Sequence, residues 1–86
     1  MPIICVEVIF PNNYLIIEYF DSNEIQSFIN FIKESLSDGA KVVVKIDSDL
    51  EFIFNKYNKK QMKMLVKLIK EIDGDYDEKV VNSYIY

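Results

Sequence analysis

The chain contains an internal repeat, and this feature constrains its fold more than any other. Residues 19–34 align with residues 56–71 at an offset of 37, and apolar positions fall on apolar positions. Upstream, residues 6–8 align with residues 44–46 at an offset of 38. Self-similarity of this kind indicates one supersecondary unit that is used twice. The change of offset predicts that the second unit has lost one residue between its two strands.

The first unit begins with two segments whose apolar residues alternate, which is the pattern of a half-buried hairpin. The alternation predicts that Phe10 pairs with Leu15 across a four-residue loop, residues 11–14, which is rich in turn-forming residues. This register places the following side chains on the core face of the sheet: Val6, Val8, Phe10, Leu15, Ile17 and Tyr19.

The second unit begins with a hairpin that has a shorter loop. Ile46 is predicted to pair with Leu50 across three residues, 47–49, so the two loops account for the change of offset. The core face of this hairpin is predicted to carry Val42, Val44, Ile46, Leu50, Phe52 and Phe54.

A helix follows each hairpin. Asp21 with Glu24, and Asn58 with Gln61, have the spacing of an N-cap residue and its partner three positions later. Apolar residues then recur at helical spacing, and a glycine follows where a left-handed residue commonly ends a helix. The stripe residues and glycines are Ile25, Phe28, Ile29, Ile32, Leu36 and Gly39 in the first unit, and Met62, Leu65, Val66, Ile69, Ile72 and Gly74 in the second.

These elements predict an α+β fold in which two tandem ββα units form a two-layer sandwich in the order ββαββα. Both helices are expected to cover one face of a mostly antiparallel sheet. The chain, 1–86, is expected to be a single domain with its repeats at about 3–38 and 41–73. The C-terminal segment, 74–86, starts with a polar turn, and residues 80–85 are a candidate for a short fifth strand.

The residue types that carry most enzyme chemistry are missing. The ten basic residues are all Lys, there is no His, and no glycine-rich phosphate loop occurs. The single cysteine, Cys5, lies in a strand segment without any His to activate it, and we interpret it as a small apolar residue. We therefore expect a non-catalytic protein that uses no cofactor.

Two runs of alternating carboxylates have the residue types that bind Ca²⁺ or Mg²⁺. An EF-hand loop that started at Asp73 would, however, need Gly and Glu at the positions held by Glu78 and Tyr84. We interpret both runs as a turn and a linker, and we expect no metal site. The runs consist of Asp47, Asp49 and Glu51, and of Asp73, Asp75 and Asp77.

Charge is distributed unevenly along the chain. Residues 1–40 carry one lysine and six acids, residues 41–70 carry eight lysines and three acids, and residues 71–86 carry one lysine and five acids. On the second helix the lysines recur opposite the apolar stripe and predict a basic ridge. This lysine ridge is either a solvated helix face or a docking site for an acidic partner or a nucleic acid. It consists of Lys56, Lys59, Lys60, Lys63, Lys67 and Lys70.

The first hairpin is apolar on both faces, whereas an antiparallel sheet with helices on one side normally carries polar residues on the other. We expect the second face to be covered by the C-terminal segment with Tyr84 and Tyr86, by a second copy of the chain in a homodimer, or by a different protein. The predicted apolar sheet face consists of Ile3, Cys5, Ile9, Tyr14, Ile16, Phe20 and Ile53.

Three functional hypotheses remain, and we favour the first over the two alternatives. The first is a protein-binding module that occludes a partner, since small size and residue types with AT-rich codons suit an inhibitor from a phage or mobile element, such as an anti-CRISPR, antitoxin or immunity protein. The second is nucleic-acid binding along the lysine ridge, helped by Tyr57 and Tyr76. The third is a symmetric oligomer that holds a small ligand between its subunits.

Because no apolar run approaches the roughly 20 residues of a membrane span, and no signal peptide is evident, we expect a cytoplasmic location without membrane partners.

Overall fold

The computed structural model describes residues 3–47 and 49–85, which form one four-stranded sheet and three helices. The strands lie in the order β2-β1-β3-β4, and each neighbouring pair is antiparallel. The predicted α+β fold with the order ββαββα is therefore confirmed. The elements are β1 (Ile3–Ile9), β2 (Leu15–Asp21), α1 (Ile25–Ser37), β3 (Lys41–Ile46), β4 (Leu50–Phe54), α2 (Lys59–Ile72) and α3 (Glu78–Tyr84).

The core lies between the helices and one face of the sheet, called here the helix-bearing face; the other face is called the open face. The predicted apolar stripes of α1 and α2 are buried, although Leu36 is only partly buried and Ile72 is exposed. A fully buried Ile, Leu or Phe side chain contributes about 1.5–3 kcal/mol. The largest core side chains are Phe28, Phe54, Ile4, Ile25, Ile29, Ile32, Ile46, Met62, Leu65 and Ile69.

The candidate fifth strand is wrong, because Glu78–Tyr84 is helix α3. The Asp77 side chain accepts a hydrogen bond from the Lys79 backbone N–H at 2.9 Å and so caps the first turn. Val81 and Ile85 are buried in the core cluster, and Tyr84 packs against that cluster. The Asp77 cap and the burial of Val81 outweigh the strand-forming preference of the valines and the tyrosine.

The predicted register of the first hairpin is also wrong, by one residue. Ile9 pairs with Leu15 and Val8 pairs with Ile16, so Phe10 faces Tyr14 and the loop has three residues. The Asn13 N–H donates to the Phe10 carbonyl at 2.9 Å, and Asn13 has a left-handed φ of 63°. Three-residue hairpin loops commonly combine such a turn with a left-handed residue.

A one-residue slip moves every side chain of a strand to the other face. Ile16 and Phe20 therefore lie on the helix-bearing face, and Leu15, Ile17 and Tyr19 lie on the open face instead of in the core. The register of the second hairpin is confirmed by the Ile46–Leu50, Val44–Phe52 and Val42–Phe54 pairs. Both loops thus have three residues, and the residue thought to be lost between the strands of the second unit is not lost there.

The helix ends follow the local signals with one exception. Asn58 caps α2 by accepting the Gln61 N–H at 3.0 Å, as predicted. Helix α1 instead begins at Ile25, after Glu24, because Asp21 and Glu24 are bonded to each other one turn earlier, with the Asp21 N–H 3.0 Å from Oε1 of Glu24. Gly39 and Gly74 have φ values of 88° and 72° and end α1 and α2 as predicted.

Candidate functional site

Strand β2 is one of the two edges of the sheet, and on the open face it forms an apolar column. Leu15, Ile17 and Tyr19 are 51%, 45% and 66% exposed. On β1, the exposed Ile3 and the half-buried Ile9 extend the column sideways. Contiguous exposed apolar surface of this kind is typical of an interaction site.

Between Leu15 and Tyr19, the outward backbone groups of β2 belong to the same three residues. The Phe10 N–H donates to the Tyr14 carbonyl at 2.9 Å, which makes Phe10 and Tyr14 a hydrogen-bonded pair. Such pairs alternate along an antiparallel ladder, so Ile16, Glu18 and Phe20 bond to β1. It follows that the N–H and C=O groups of Leu15, Ile17 and Tyr19 point away from the sheet, where no residue of 3–47 or 49–85 pairs with them.

The opposite edge, β4, is better protected. The Gln61 side-chain amide donates to the Ile53 carbonyl at 3.0 Å and so occupies one outward acceptor of that edge. β4 is also shorter than β2, with five residues against seven. Short edges and side chains that cover backbone groups are devices by which natural sheets avoid unwanted pairing. On β2 a side chain covers only the N–H of the last residue, Asp21, which donates to Glu24 Oε1 at 3.0 Å. Over Leu15–Tyr19 neither device is present among the described residues, and the β2 sequence includes no Lys or Pro.

An ion pair lies in the middle of the open face. Lys45 Nζ is 3.0 Å from Glu7 Oε2, and the two residues join the central strands diagonally. The hydrogen bond to Glu7, followed by the charge of Glu7, raises the pKa of Lys45 above its ordinary value of 10.5. This pair separates the apolar column on β1 and β2 from Ile53 on β4.

The predicted apolar sheet face is therefore split between two faces. Ile3, Cys5, Ile9 and Ile53 do lie on the open face. The other three members, Tyr14, Ile16 and Phe20, lie on the helix-bearing face, where Phe20 packs against the rings of Phe28 and Phe31. The residues that the sequence interpretation missed are Leu15, Ile17 and Tyr19.

A shallow hollow of about 400 Å³, largely open to solvent, lies beside β2 on the helix-bearing face, at the tip of the first hairpin. Its walls include the rings of Phe10 and Tyr14, whose centroids are 6.0 Å apart. Because Ile16 also lines it, the hollow is continuous with the edge strand. The remaining lining residues are Pro11 and Asn12.

The predicted lysine ridge is reduced by one member. Lys56, Lys59, Lys60, Lys63 and Lys67 are exposed, whereas Lys70 is buried. Lys70 follows Val66 by four residues, which places it on the buried side of α2.

Three lysines of the ridge border a groove of about 240 Å³ between α2 and α3. Lys67 is also 3.9 Å from a carboxylate oxygen of Glu71 and 5.5 Å from the centre of the Tyr76 ring. The Tyr57 ring lies away from this groove under Lys33, at 5.0 Å. The groove is lined by Lys60, Lys63, Met64, Lys67, Tyr76, Glu78, Val81 and Asn82.

The acidic runs do not form a site in the part of the chain that the structure describes. Within residues 3–47 and 49–85, no group of three His, Cys, Asp or Glu side chains is arranged to hold a metal ion. Among the same residues, no helix combines the length and the apolar character needed to cross a membrane.

No protein-family model, curated protein or solved structure matches the chain. By its fold, the chain belongs to the class of small two-layer α+β domains, and it is built from two ββα units and a C-terminal helix.

Proposed function

We propose that this protein is a non-catalytic protein-binding module that captures an extended segment of a partner protein along β2. The observation that carries the proposal is that the same three residues combine two features. Leu15, Ile17 and Tyr19 each combine an exposed apolar side chain on the open face with outward backbone groups. A strand added at this edge would bond to the backbone and bury the apolar column at the same time.

Strand addition would use both the backbone groups and the side chains of β2, whereas a face-to-face contact would use only the side chains. Backbone bonding fixes the register of an added strand, while side chains on the open face supply apolar contact. An unprotected edge also carries a risk of aggregation that natural sheets normally remove. The seven-residue β2 keeps that risk, which supports the view that the edge is used.

A captured segment would be occluded from its other interactions, which is how a compact inhibitor acts. This supports the more specific proposal of an inhibitor of the kind that phages and mobile elements encode, and of a cytoplasmic site of action. The chain length of 86 residues and the AT-rich codon preference of its residue types are consistent with that origin.

A single backbone substitution tests the proposal. Ile17→Pro removes one outward N–H, and an edge strand tolerates Pro where the lost N–H faces solvent. The matched control is Ile53→Pro on β4, because Ile53 is exposed to 46% and Ile17 to 45%. The partner is recovered from the native host with tagged protein, identified by mass spectrometry and purified.

We expect Ile17→Pro to weaken partner binding at least tenfold in calorimetry, which corresponds to about 1.4 kcal/mol. Ile53→Pro should bind like the wild type. The partner should also slow amide hydrogen exchange at Leu15, Ile17 and Tyr19, since those N–H groups would become bonded. Unchanged affinity of Ile17→Pro together with unchanged exchange at these amides would refute strand addition.

Nucleic-acid binding is the second candidate, and the groove between α2 and α3 is the observation that favours it. Lys60, Lys63 and Lys67 border the groove, and Tyr76 offers an aromatic face beside them. Lysines next to an aromatic ring are a common arrangement for single-stranded nucleic acid. Glu78 in the same groove and the formal net charge of −4 oppose a long polyanion, so we rank this function second.

A further inference from the structure

The side chains on β2 indicate which residues a captured strand would carry, and this inference rests on the proposed function. An added strand would meet side chains of β2 on two faces. Between Leu15 and Tyr19, the open face of β2 carries the apolar column and therefore selects weakly among apolar residues. The helix-bearing face offers two different features, the carboxylate of Glu18 and the hollow at the hairpin tip.

Glu18 is exposed on β2, and its backbone groups bond to β1. Within the described ranges, 3–47 and 49–85, its carboxylate has neither an ion pair nor a hydrogen bond. The surrounding unit is acidic, since residues 1–40 carry one lysine against six acids. A cation placed directly opposite Glu18 would therefore find an unpaired carboxylate in a negative environment.

The hollow lies two residues further along the same face of β2. Ile16 is the next residue after Glu18 on the helix-bearing face, and it forms one wall of the hollow together with Phe10 and Tyr14. Residues two apart on a strand share a face, and directly opposed side chains have Cβ atoms about 4.5–5.5 Å apart. A side chain opposite Ile16 would therefore reach the hollow.

We infer that the captured strand runs antiparallel to β2, carries Lys or Arg opposite Glu18, and carries an aromatic or large aliphatic side chain two residues later, opposite Ile16. The antiparallel direction follows the other three pairings of the sheet. In that direction the partner sequence reads as a basic residue, an apolar residue, and then an aromatic or large aliphatic residue. Apolar residues occupy the alternate positions, opposite Tyr19, Ile17 and Leu15.

A second copy of this chain fits the site less well. Symmetric antiparallel pairing of two β2 strands about Ile17 places Leu15 against Tyr19 and therefore keeps the apolar column together. The same register places Ile16, and not a basic residue, opposite Glu18. It also brings the Glu18 residues of the two copies into diagonal positions. The inferred occupant is thus a strand from a different protein, with a basic residue opposite Glu18.

The probe is the fluorescein-labelled peptide Thr-Val-Lys-Val-Phe-Val-Thr, whose Lys falls opposite Glu18 and whose Phe falls opposite Ile16. Its affinity for the full-length protein is measured by fluorescence anisotropy. We expect replacement of the peptide Lys by Glu to weaken binding about fivefold, and Glu18→Lys in the protein to weaken it similarly. Combining the two changes should restore the affinity. Replacing the peptide Phe by Ser should cost about tenfold.

N-methylated peptides separate this inference from strand addition itself. Methyl groups on the three Val amides, which face β2, should abolish binding, whereas methyl groups on the Lys and Phe amides, which face away, should not. Suppose that the Val methyl groups abolish binding, but that neither the peptide Lys→Glu change nor Glu18→Lys affects it. That result overturns the inference and leaves strand addition in place. Binding indifferent to all methyl groups overturns both. If no peptide binds at millimolar concentration while a natural partner still depends on Ile17, the inferred pattern is wrong.

Discussion

Lys70 Nζ lies 3.4 Å from the carbonyl oxygen of Ser22, and the lysine side chain is almost fully buried. The residues around this contact connect the two units of the fold. Ser22 Oγ donates to Asp73 Oδ2 at 3.0 Å, and Asp75 Oδ2 is 3.9 Å from the ammonium group. The end of α2 is thereby joined to the segment between β2 and α1, and this contact adds to the β1–β3 pairing that also connects the two units.

We expect Lys70→Met to lower the free energy of unfolding by about 1–3 kcal/mol, because a hydrogen bond from a charged donor is lost while the stem of the side chain is kept. Lys67→Met on the exposed side of α2 is the matched control and should change stability by less than about 0.5 kcal/mol. Urea denaturation followed by circular dichroism measures both. Equal midpoints for the two variants would show that the buried contact contributes nothing.

The register of the first hairpin can be tested with a disulfide. Cys5 faces Tyr19, and this pair lies between two hydrogen-bonded pairs, where Cα atoms are about 4.5 Å apart. Tyr19→Cys should therefore cross-link to Cys5 under mild oxidation, since disulfides span Cα distances of about 4.4–6.8 Å. The register predicted from the sequence would instead cross-link Phe20→Cys, so mass spectrometry of the two oxidised variants distinguishes the registers.

The same strand explains how far the sequence could predict the candidate site. The alternation of apolar and polar residues predicted the register of the second hairpin correctly, because only one of its faces is apolar throughout. Lys45 and Glu51 lie on the other face. In β2, Leu15 and Ile17 on one face compete with Ile16 and Phe20 on the other, so hydrophobicity could not choose between them. The turn decided the register, because Asn13 takes the left-handed position that a three-residue loop requires. Asn tolerates that conformation, but its presence does not impose it.

Two other errors have related physical causes. The β-propensity of Val80 and Val81 favours a strand, but the cap at Asp77 and the burial of Val81 against the core favour a helix. Helical spacing placed Lys70 on the lysine ridge, yet a residue at the margin of an apolar stripe can be buried when it finds partners. Those partners, Ser22 and Asp75, come from other segments, and no local sequence pattern predicts their contact with Lys70.

The open-face ion pair gives a pH prediction. Glu7 raises the pKa of Lys45, so Glu7→Gln should lower that pKa toward 10.5. A raised lysine pKa means that the pair stabilises the fold below the unfolded pKa and that the contribution is lost as pH rises through the folded pKa. NMR titration of the Lys45 side chain in both proteins measures the shift, and equal pKa values would contradict the role given to Glu7.

Self-association stays a prediction, and its site moves with the register. A homodimer would pair the two β2 edges, so Ile17→Lys should abolish it, because a charge would enter the interface and protect the edge. Ile53→Lys on the opposite edge is the matched control and should leave it intact. Light scattering at high micromolar concentration measures the mass. A monomer of 10.2 kDa leaves β2 free for a foreign strand.

Nucleic-acid binding is tested by salt dependence, because each phosphate neutralised on duplex DNA contributes a slope of about −0.9 to log affinity against log salt. Burial of Lys70 leaves three ridge lysines on the groove, so binding there should give a slope of about −3. An acidic protein docked on the same lysines should instead change mainly the association rate. We expect labelled DNA and RNA to bind weakly near physiological salt, since the ridge lysines lie between two acidic segments of the sequence. Sub-micromolar binding that is lost in a folded Lys63→Glu, Lys67→Glu double variant would favour the nucleic-acid function over the protein-binding one.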